Sequence, residues 1–285
     1  MRTRFAPSPT GLLHLGHAFS ALTAWDRAQA AGGTFLLRIE DIDRPRCRAA
    51  FETAIYEDLG WLGLAWPDPV MRQSERMPAY RAALDRLAAA GLLYPCRCTR
   101  RDIRAALAAP QETAGPAPAE AVYPGTCRGR SLAEAGPDDA LRLDMHAAIG
   151  RLGGRDGLAG LTWIETGAAR QGAHALDADI LTAQIGDIVL ARRDIGTSYH
   201  LAVVVDDAEQ GITEVVRGMD LVDATPIHRL LQALLALPVP AWHHHRLIRD
   251  EAGRRLAKRD DARAIRAYRA AGETPGALRR RVGLG

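Results

Sequence analysis

Lysine is almost missing from this chain. Of its 37 basic residues among 285, 36 are arginine and one, Lys258, is lysine. Against 34 acidic residues the formal net charge is +3, too small to require or exclude a nucleic-acid partner. So abundant an arginine says little by its presence alone, whereas a single lysine says more. No run of about 18 apolar residues exists, so no transmembrane helix is expected. The first residues lack an apolar signal core, and a cytoplasmic location is expected. Cysteine is scarce: Cys47, Cys96, Cys98 and Cys127. In a reducing compartment such thiols are metal ligands or inert packing rather than disulfides. What remains is an ordinary globular composition, 47% hydrophobic and 25% charged, long enough for one large domain or two modest ones.

Residues 3–6 form a short β-prone run, and Pro7-Ser8-Pro9-Thr10-Gly11 must be a loop. Leu15 to Ala30 predicts a helix ended by Gly32-Gly33. Residues 34–39 are a nearly continuous apolar run, as in a buried parallel strand. Helical patterns follow at 46–59 and 75–90. This order opens an α/β fold with a nucleotide-sized crevice at the strand carboxyl ends. Residues 105–140, rich in Ala, Pro and Gly, read as loops within an inserted module. Apolar strands are expected again at 161–164, 187–191 and 200–205, and helices at 226–237 and 260–271.

Five constellations carry chemistry. From Arg4 to His17 a strand feeds a rigid turn, then a helix with His14 and His17 on one face. The helix start offers N–H groups and partial positive charge to phosphate, and Gly16 leaves room for a flat base. Alone, this pair is as readily a capped helix with two surface histidines. Arg38-Ile39-Glu40-Asp41-Ile42-Asp43 ends the second strand, where Glu40 can hold an ammonium; alone, it reads as a solvated acidic turn. Tyr199 to Asp207 reads as a buried strand ending in two carboxylates. Val216-Arg217-Gly218 follows, with Arg217 placed to grip a carboxylate bidentately or, as one arginine of 36, to face solvent. Arg255-Leu256-Ala257-Lys258-Arg259-Asp260 offers a compact cation to phosphate charge. Cys96-Arg97-Cys98 with Tyr123 and Cys127 offers three thiols and a fourth donor to a closed tetrahedral zinc site, or buried inert thiols. Cys47 reads as structural. His243-His244-His245 cannot all face one ion from a regular element, and read as the approach to the Lys258 loop.

Together these stretches resemble the class I aminoacyl-tRNA synthetases, in the form used by the glutamyl enzymes, from Arg4 to about Asp260. His14-Leu15-Gly16-His17 is similar to their ATP-binding His-x-Gly-His motif, and 38–43 to their Arg-Ile-Glu-Asp-x-Asp stretch. Residues 255–260 are similar to their Lys-x-Ser-Lys loop, with Arg255 replacing the first Lys, Ala257 replacing Ser, and Lys258 intact. Cys-x-Cys…Tyr-x-x-x-Cys resembles the zinc pattern of short glutamyl-tRNA-synthetase-like proteins. The resemblance implies a Rossmann-like α/β catalytic domain split over 1–95 and 180–235. It also implies an inserted, acceptor-binding-like module with zinc over 96–179, and a helical region with the Lys258 loop over 236–285.

By the same resemblance Arg4, Ser8, Glu40, Tyr199 and Arg217 line a glutamate pocket. His14, Gly16, His17 and Lys258 bind ATP with its Mg2+, and His14, His17 and Lys258 are the catalytic group. Cys96, Cys98, Tyr123 and Cys127 hold one structural Zn2+. A full glutamyl enzyme continues into an anticodon-binding region, whereas this chain ends about 25 residues past the Lys258 loop. The expected reaction is therefore that of the short members: a glutamyl-adenylate formed without tRNA, then glutamate esterified onto queuosine at the wobble position of tRNA(Asp). A monomer is expected, with tRNA phosphates held by the 263–269 helix and Arg279-Arg280-Arg281. Other readings are a truncated synthetase charging a tRNA 3′ end, and a non-catalytic tRNA- or glutamate-binding paralogue, which Arg255 and Ala257 favour. A ligase joining an acid to a small amine would lack the Arg-Ile-Glu-Asp and Val-Arg-Gly segments.

A compact ammonium follows developing phosphate charge differently from a planar guanidinium. Lys258→Arg is therefore expected to keep charge and fold yet lose most ATP–pyrophosphate exchange. Retained exchange would make the lone lysine incidental.

Overall fold

The computed structural model describes residues 1–103, 122–248 and 263–284. Lys258, with Arg255 and Ala257, lies outside them, as does most of the Ala/Pro-rich part of the insert. The chain begins β1 (Arg2–Phe5), α1 (Leu15–Ala30), β2 (Thr34–Ile39), α2 (Ala49–Trp61), β3 (Met71–Arg72), α3 (Met77–Ala89). The three strands pair in parallel. Next come β4 (Leu93–Cys96), β5 (Ala140–Leu143), α4 (Met145–Arg151), α5 (Gly154–Ala159), β6 (Thr162–Glu165), β7 (Gly172–Ala175) and β8 (Val189–Ala191). The described chain closes with α6 (Tyr199–Glu209), β9 (Glu214–Gly218), α7 (Thr225–Leu234), β10 (Ala241–His245), α8 (Ile265–Ala270) and α9 (Pro275–Arg281).

β10 runs parallel to both β9 and β6, and β7 completes that sheet. The Thr213 N–H donates to the Arg2 carbonyl (3.0 Å) and the Arg2 N–H to Thr213 Oγ1 (2.8 Å), which sets β9 beside β1. The parallel order is then β3-β2-β1-β9-β10, so the sheet grows outward in both directions from the β1/β9 seam. In doubly wound sheets such a reversal opens a crevice at the strand carboxyl ends. β4, β5 and β8 form a separate antiparallel sheet.

The expected helix at 15–30 and strand at 34–39 are found with those bounds, β8 falls within the expected 187–191, and β6 overlaps the expected 161–164, ending one residue later. Residues 200–205 do not form a strand. They lie inside α6, buried on most sides, and period alone does not separate a short buried strand from a buried helix. The signal that does is Ser198, the helix N-cap, whose hydroxyl accepts from the Leu201 N–H. The region after 236, expected as helical, opens with strand β10. No helix among the described residues is long and apolar enough to cross a membrane.

Two apolar cores sit on the scaffold. One joins Phe5, Leu22, Phe35, Ile39 and Leu59 to Ile265 and Leu278 of the last two helices. The other gathers α3, α6 and α7 around Leu143 and Trp242. Beside the first core, Asp58 of α2 is fully buried, and its carboxyl finds no hydrogen-bond partner among the described residues. Burial pushes it up to about 6, with Arg269 and Arg266 only partly offsetting that. The folded value thus lies above the unfolded one of about 4. Its contribution to stability is fully present below pH ~4 and is lost as pH rises through about 6. Asp58→Asn is expected to stabilise the fold at pH 8 by up to about 2–3 kcal/mol, and to gain nothing near pH 4, as read by denaturant melts. Equal gains at both pH values would assign the effect to packing.

Candidate active site

The crevice at the β1/β9 seam collects residues from four strands and one helix. Arg4 stands near the end of β1 and Glu40 just past β2. Arg217 is near the end of β9, His244 in β10, and Tyr199 in the first turn of α6. The Glu40 N–H donates to the Pro7 carbonyl (3.0 Å), which lays the Pro7-Ser8 turn against the end of β2. The Ser8 carbonyl in that turn accepts from the Thr10 N–H (2.8 Å).

Two arginines share one carboxylate. Arg4 Nε and Nη2 donate to Asp207 at 3.0 and 3.2 Å, and Arg38 Nη1 donates to the same group at 2.6 Å. Arg38 is fully buried and Arg4 is 4% exposed. Burial opposes ionisation of Asp207, but Arg4 and Arg38 outweigh it and hold the carboxyl below its ordinary range. Arg38 also donates to Glu40 Oε1 (3.1 Å). Burial pushes Glu40 up, against the pull of Arg38 and Arg4. The neighbouring Asp206 takes bonds from Tyr80, Gln73 and Arg76. Both acids are buried, each held by side chains of other elements rather than left open to a ligand.

Arg217 is placed differently. It is 5% exposed, and every side chain it bonds is neutral or can be. Nε donates to His244 Nε2 (3.0 Å), Nη1 to His228 Nδ1 (3.1 Å) and the Tyr199 hydroxyl (3.5 Å), and Nη2 to Thr225 Oγ1 (2.8 Å). Burial, then the Arg217 charge, pushes His200 and His244 down to about 4 and His228 well below its ordinary value. All three rings are therefore neutral at pH 7. Among the described residues no carboxylate forms an ion pair with Arg217.

At the start of α1, His14 is the N-cap. Its Nδ1 accepts from the Gly16 N–H (3.1 Å), while His17 Nδ1 accepts from the His14 N–H (3.1 Å). The ring centroids lie 3.8 Å apart. With Nδ1 accepting, each neutral ring carries its proton on Nε2, the edge that can donate to a phosphate oxygen. A Cβ at Gly16 would stand 3.0 Å from the His14 ring, so the lack of a side chain there lets that ring sit close against the helix start. His14 also bridges to Ala264, and the Ile265 N–H donates to the Leu13 carbonyl (2.8 Å). The chain beyond the Lys258 motif is thereby bonded to the histidine motif.

Cys96, Cys98 and Cys127 come together with their sulfurs within 4.8 Å of one another. Tyr123 Oη lies 3.4 Å from Cys96 Sγ and 3.6 Å from Cys98 Sγ, and accepts from the Cys127 N–H (2.8 Å). Burial raises Cys98 to about 11. It also opposes the Cys127 thiolate, yet hydrogen bonds from Tyr123, the Arg97 N–H and the neighbouring thiols bring Cys127 down to about 7. This cluster can hold a metal. Cys47 lies elsewhere, after the short turn Arg44–Arg46. His243, His244 and His245 sit on one strand with separate partners, so they form no common ligand set. Of the arginines expected to face nucleic acid, Arg269, Arg279 and Arg281 pair with Glu57, Asp26 and Glu273.

The family model for the catalytic domain of class I tRNA synthetases (E and Q) matches residues 1–284. The chain belongs to this family. It is 55% identical to a glutamyl-Q tRNA(Asp) synthetase of Rhodobacter capsulatus, covering 100% of each chain. It is 43% identical to the protein of that name in Nocardia farcinica, covering 95% of this chain and 80% of the relative. Among solved structures it is similar to a glutamate tRNA ligase of Elizabethkingia meningosepticum, with TM-score 0.76 and 26% identity, over 100% of this chain and 60% of that one. The chain thus spans about three-fifths of that ligase's length.

Sequence reasoning missed Thr225, His228 and His244, which bond Arg217, and Glu165, which bonds His244, all from elements far apart in the chain. Of these, only His244 lies in a stretch that the sequence marks, the run His243-His244-His245. Asp207 was in view, but on the wrong element. Removing it strands the buried Arg4 without a counter-ion and leaves Arg38 only Glu40 and the more distant Asp206. Asp207→Ala is expected to cost about 3–5 kcal/mol in a denaturant melt; a loss near zero would show that Arg4 and Arg38 find other partners.

Proposed function

We propose that this protein activates L-glutamate with ATP to glutamyl-adenylate and transfers the glutamyl group to queuosine at the wobble position of tRNA(Asp). Arg217 carries the amino-acid half: a buried cation held by neutral groups has its charge to give to a substrate carboxylate, bidentately and with little competition. Glu40 takes the substrate ammonium, whose charge offsets the cost of keeping this buried carboxyl ionised. Arg4, Ser8 and Tyr199 complete the pocket. The queuosine half rests on the relatives named glutamyl-Q tRNA(Asp) synthetase, one of which matches end to end.

The α-carboxylate of glutamate attacks the α-phosphorus of magnesium-bound ATP in line. A carboxyl–phosphate bond forms, and the bond to pyrophosphate breaks. Catalysis of this kind is mostly positioning and charge stabilisation. His14 and His17 donate from Nε2 to phosphate oxygens at the start of α1, and Lys258 is assigned to the charge that develops on the α-phosphate and the leaving pyrophosphate. A hydroxyl of the queuosine cyclopentene-diol then attacks the mixed anhydride, its proton is lost, and AMP leaves. The thiols of Cys96, Cys98 and Cys127 with Tyr123 are assigned to one structural Zn2+. The Cys98–Cys127 sulfur separation of 3.5 Å is close to the edge of about 3.8 Å that a tetrahedron of 2.3 Å zinc–sulfur bonds requires. Bound there, zinc would cross-link β4 to the segment at 123–127.

Glutamate-dependent exchange of labelled pyrophosphate into ATP is expected without any tRNA, and transfer is followed with labelled glutamate. Label is expected on tRNA(Asp) that contains queuosine, including tRNA whose 3′ end has been blocked. Label on tRNA lacking queuosine, or label abolished by the 3′ block, would overturn the transfer step.

A further inference from the structure

β6 and β10 run side by side with Glu165 opposite Trp242. The Glu165 side chain is 1% exposed. Its Oε1 accepts the backbone N–H groups of Gly167 (2.7 Å) and His244 (2.9 Å), and its Oε2 bonds Nδ1 of the His244 ring. Burial opposes its ionisation, and these bonds outweigh burial, so the carboxyl is held below its ordinary range. An ionised carboxylate only accepts, so Nδ1 is the donor. That leaves Nε2 of His244 with a lone pair, and this is the atom that receives Nε–H of Arg217 at 3.0 Å. Thr225 Oγ1, which accepts from Arg217 Nη2, lies 3.3 Å from the same His244 nitrogen. Gly167 makes the close approach possible: a Cβ there would stand 2.5 Å from the His244 carbonyl oxygen and 2.7 Å from Glu165 Oε1.

A carboxylate, an imidazole and a guanidinium from β6, β10 and β9 therefore form one line of directed bonds. Of the three, Arg217 is the one that also reaches Tyr199 of the pocket. We infer that Glu165 and His244 are positioning residues: Glu165 fixes the tautomer of His244, and His244 fixes the plane of the Arg217 head that receives the substrate carboxylate. The inference rests on the reading of Arg217 as the carboxylate-binding residue. Outer residues of this kind commonly change affinity or activity by about 10–100-fold although they never touch the ligand.

The competing role is structural, with Glu165 merely joining β6 to β10, and Glu165→Gln separates the two. The glutamine Oε1 keeps both backbone bonds, so the junction survives. Its NH2 donates to Nδ1 of His244 and drives the ring proton to Nε2, where it faces Nε–H of Arg217. In pyrophosphate exchange this variant is expected to raise the KM for glutamate by about 10–100-fold, with an unchanged KM for ATP and an unchanged thermal midpoint. His244→Gln, whose amide oxygen reaches the place of Nε2, is expected to keep more glutamate affinity than His244→Leu. An unchanged KM for glutamate in Glu165→Gln overturns the inference. So does a rise in both KM values together with a fall in midpoint, which is the mark of a structural role. Nitrogen NMR of the His244 ring gives a readout that needs no activity: Nδ1–H is expected in the wild type and Nε2–H in Glu165→Gln. Nε2–H in the wild type overturns the inference even where glutamate is the substrate. A wild type with no glutamate-dependent exchange but with Nδ1–H overturns the activity reading while keeping the hydrogen-bond line.

Discussion

Asp207 takes hydrogen bonds from two arginines that lie 34 residues apart on neighbouring parallel strands. Taking one carboxylate and two guanidinium groups out of water is costly, and the attraction repays it only when the geometry is good and the remaining donors are satisfied. Most of those donors are used: Arg4 reaches the Val216 carbonyl at 3.3 Å, and Arg38 reaches Gln210 at 2.9 Å and Glu40 at 3.1 Å, while Arg38 Nε has only the Asp206 carboxylate at 4.0 Å. The cluster therefore ties β1, β2, β9 and α6 together at the carboxyl ends of the strands. Apolar packing alone tolerates sliding of one element against another. A shared buried carboxylate does not, because a small slip leaves a charge unpaired. The position of Glu40, and with it one wall of the crevice, follows from this constraint.

The arginine on the other wall obeys the opposite rule. Arg4 and Arg38 have spent their charge on the protein, whereas Arg217 is surrounded by two imidazoles and two hydroxyls. Burial and the Arg217 charge together keep those imidazoles neutral, so they serve as acceptors without cancelling it. One site thus contains two kinds of buried arginine: a scaffold pair already neutralised, and a single cation left with charge to spare. The distinction does not lie in the arginines. It lies in whether the partner supplied by a distant element is an aspartate or a histidine.

That is also where sequence reading stopped. The bounds of α1 and β2 were legible because cap, glycine stop and apolar run all agree locally. Arg4, Glu40 and Arg217 stood out because the stretches that carry them resemble motifs of the glutamyl enzymes; alone, Glu40 reads as an acidic turn and Arg217 as one arginine of 36. α6 was misread because Leu201 to Val205 is apolar on every side, and the Ser198 cap was the only clue to its period. Glu165 and His228 carry no local mark. They become interpretable only when β6 is laid beside β10 and α7 is placed against β9. Long-range pairing of this kind is a property of the topology, not of any window of residues.

The neutral setting of Arg217 has a consequence for discrimination. An amide and a carboxylate have nearly the same shape and volume, so a pocket that measured only fit would hardly separate a ligand from its amidated analogue. A guanidinium buried among neutral acceptors separates them by field. The anion relieves the cost of keeping that cation away from water, while the amide leaves the cost in place. Shortening the ligand by one carbon instead costs only reach, a gentler penalty that a side chain or a water can partly absorb. On the proposed reading, this recess weighs charge before it weighs length.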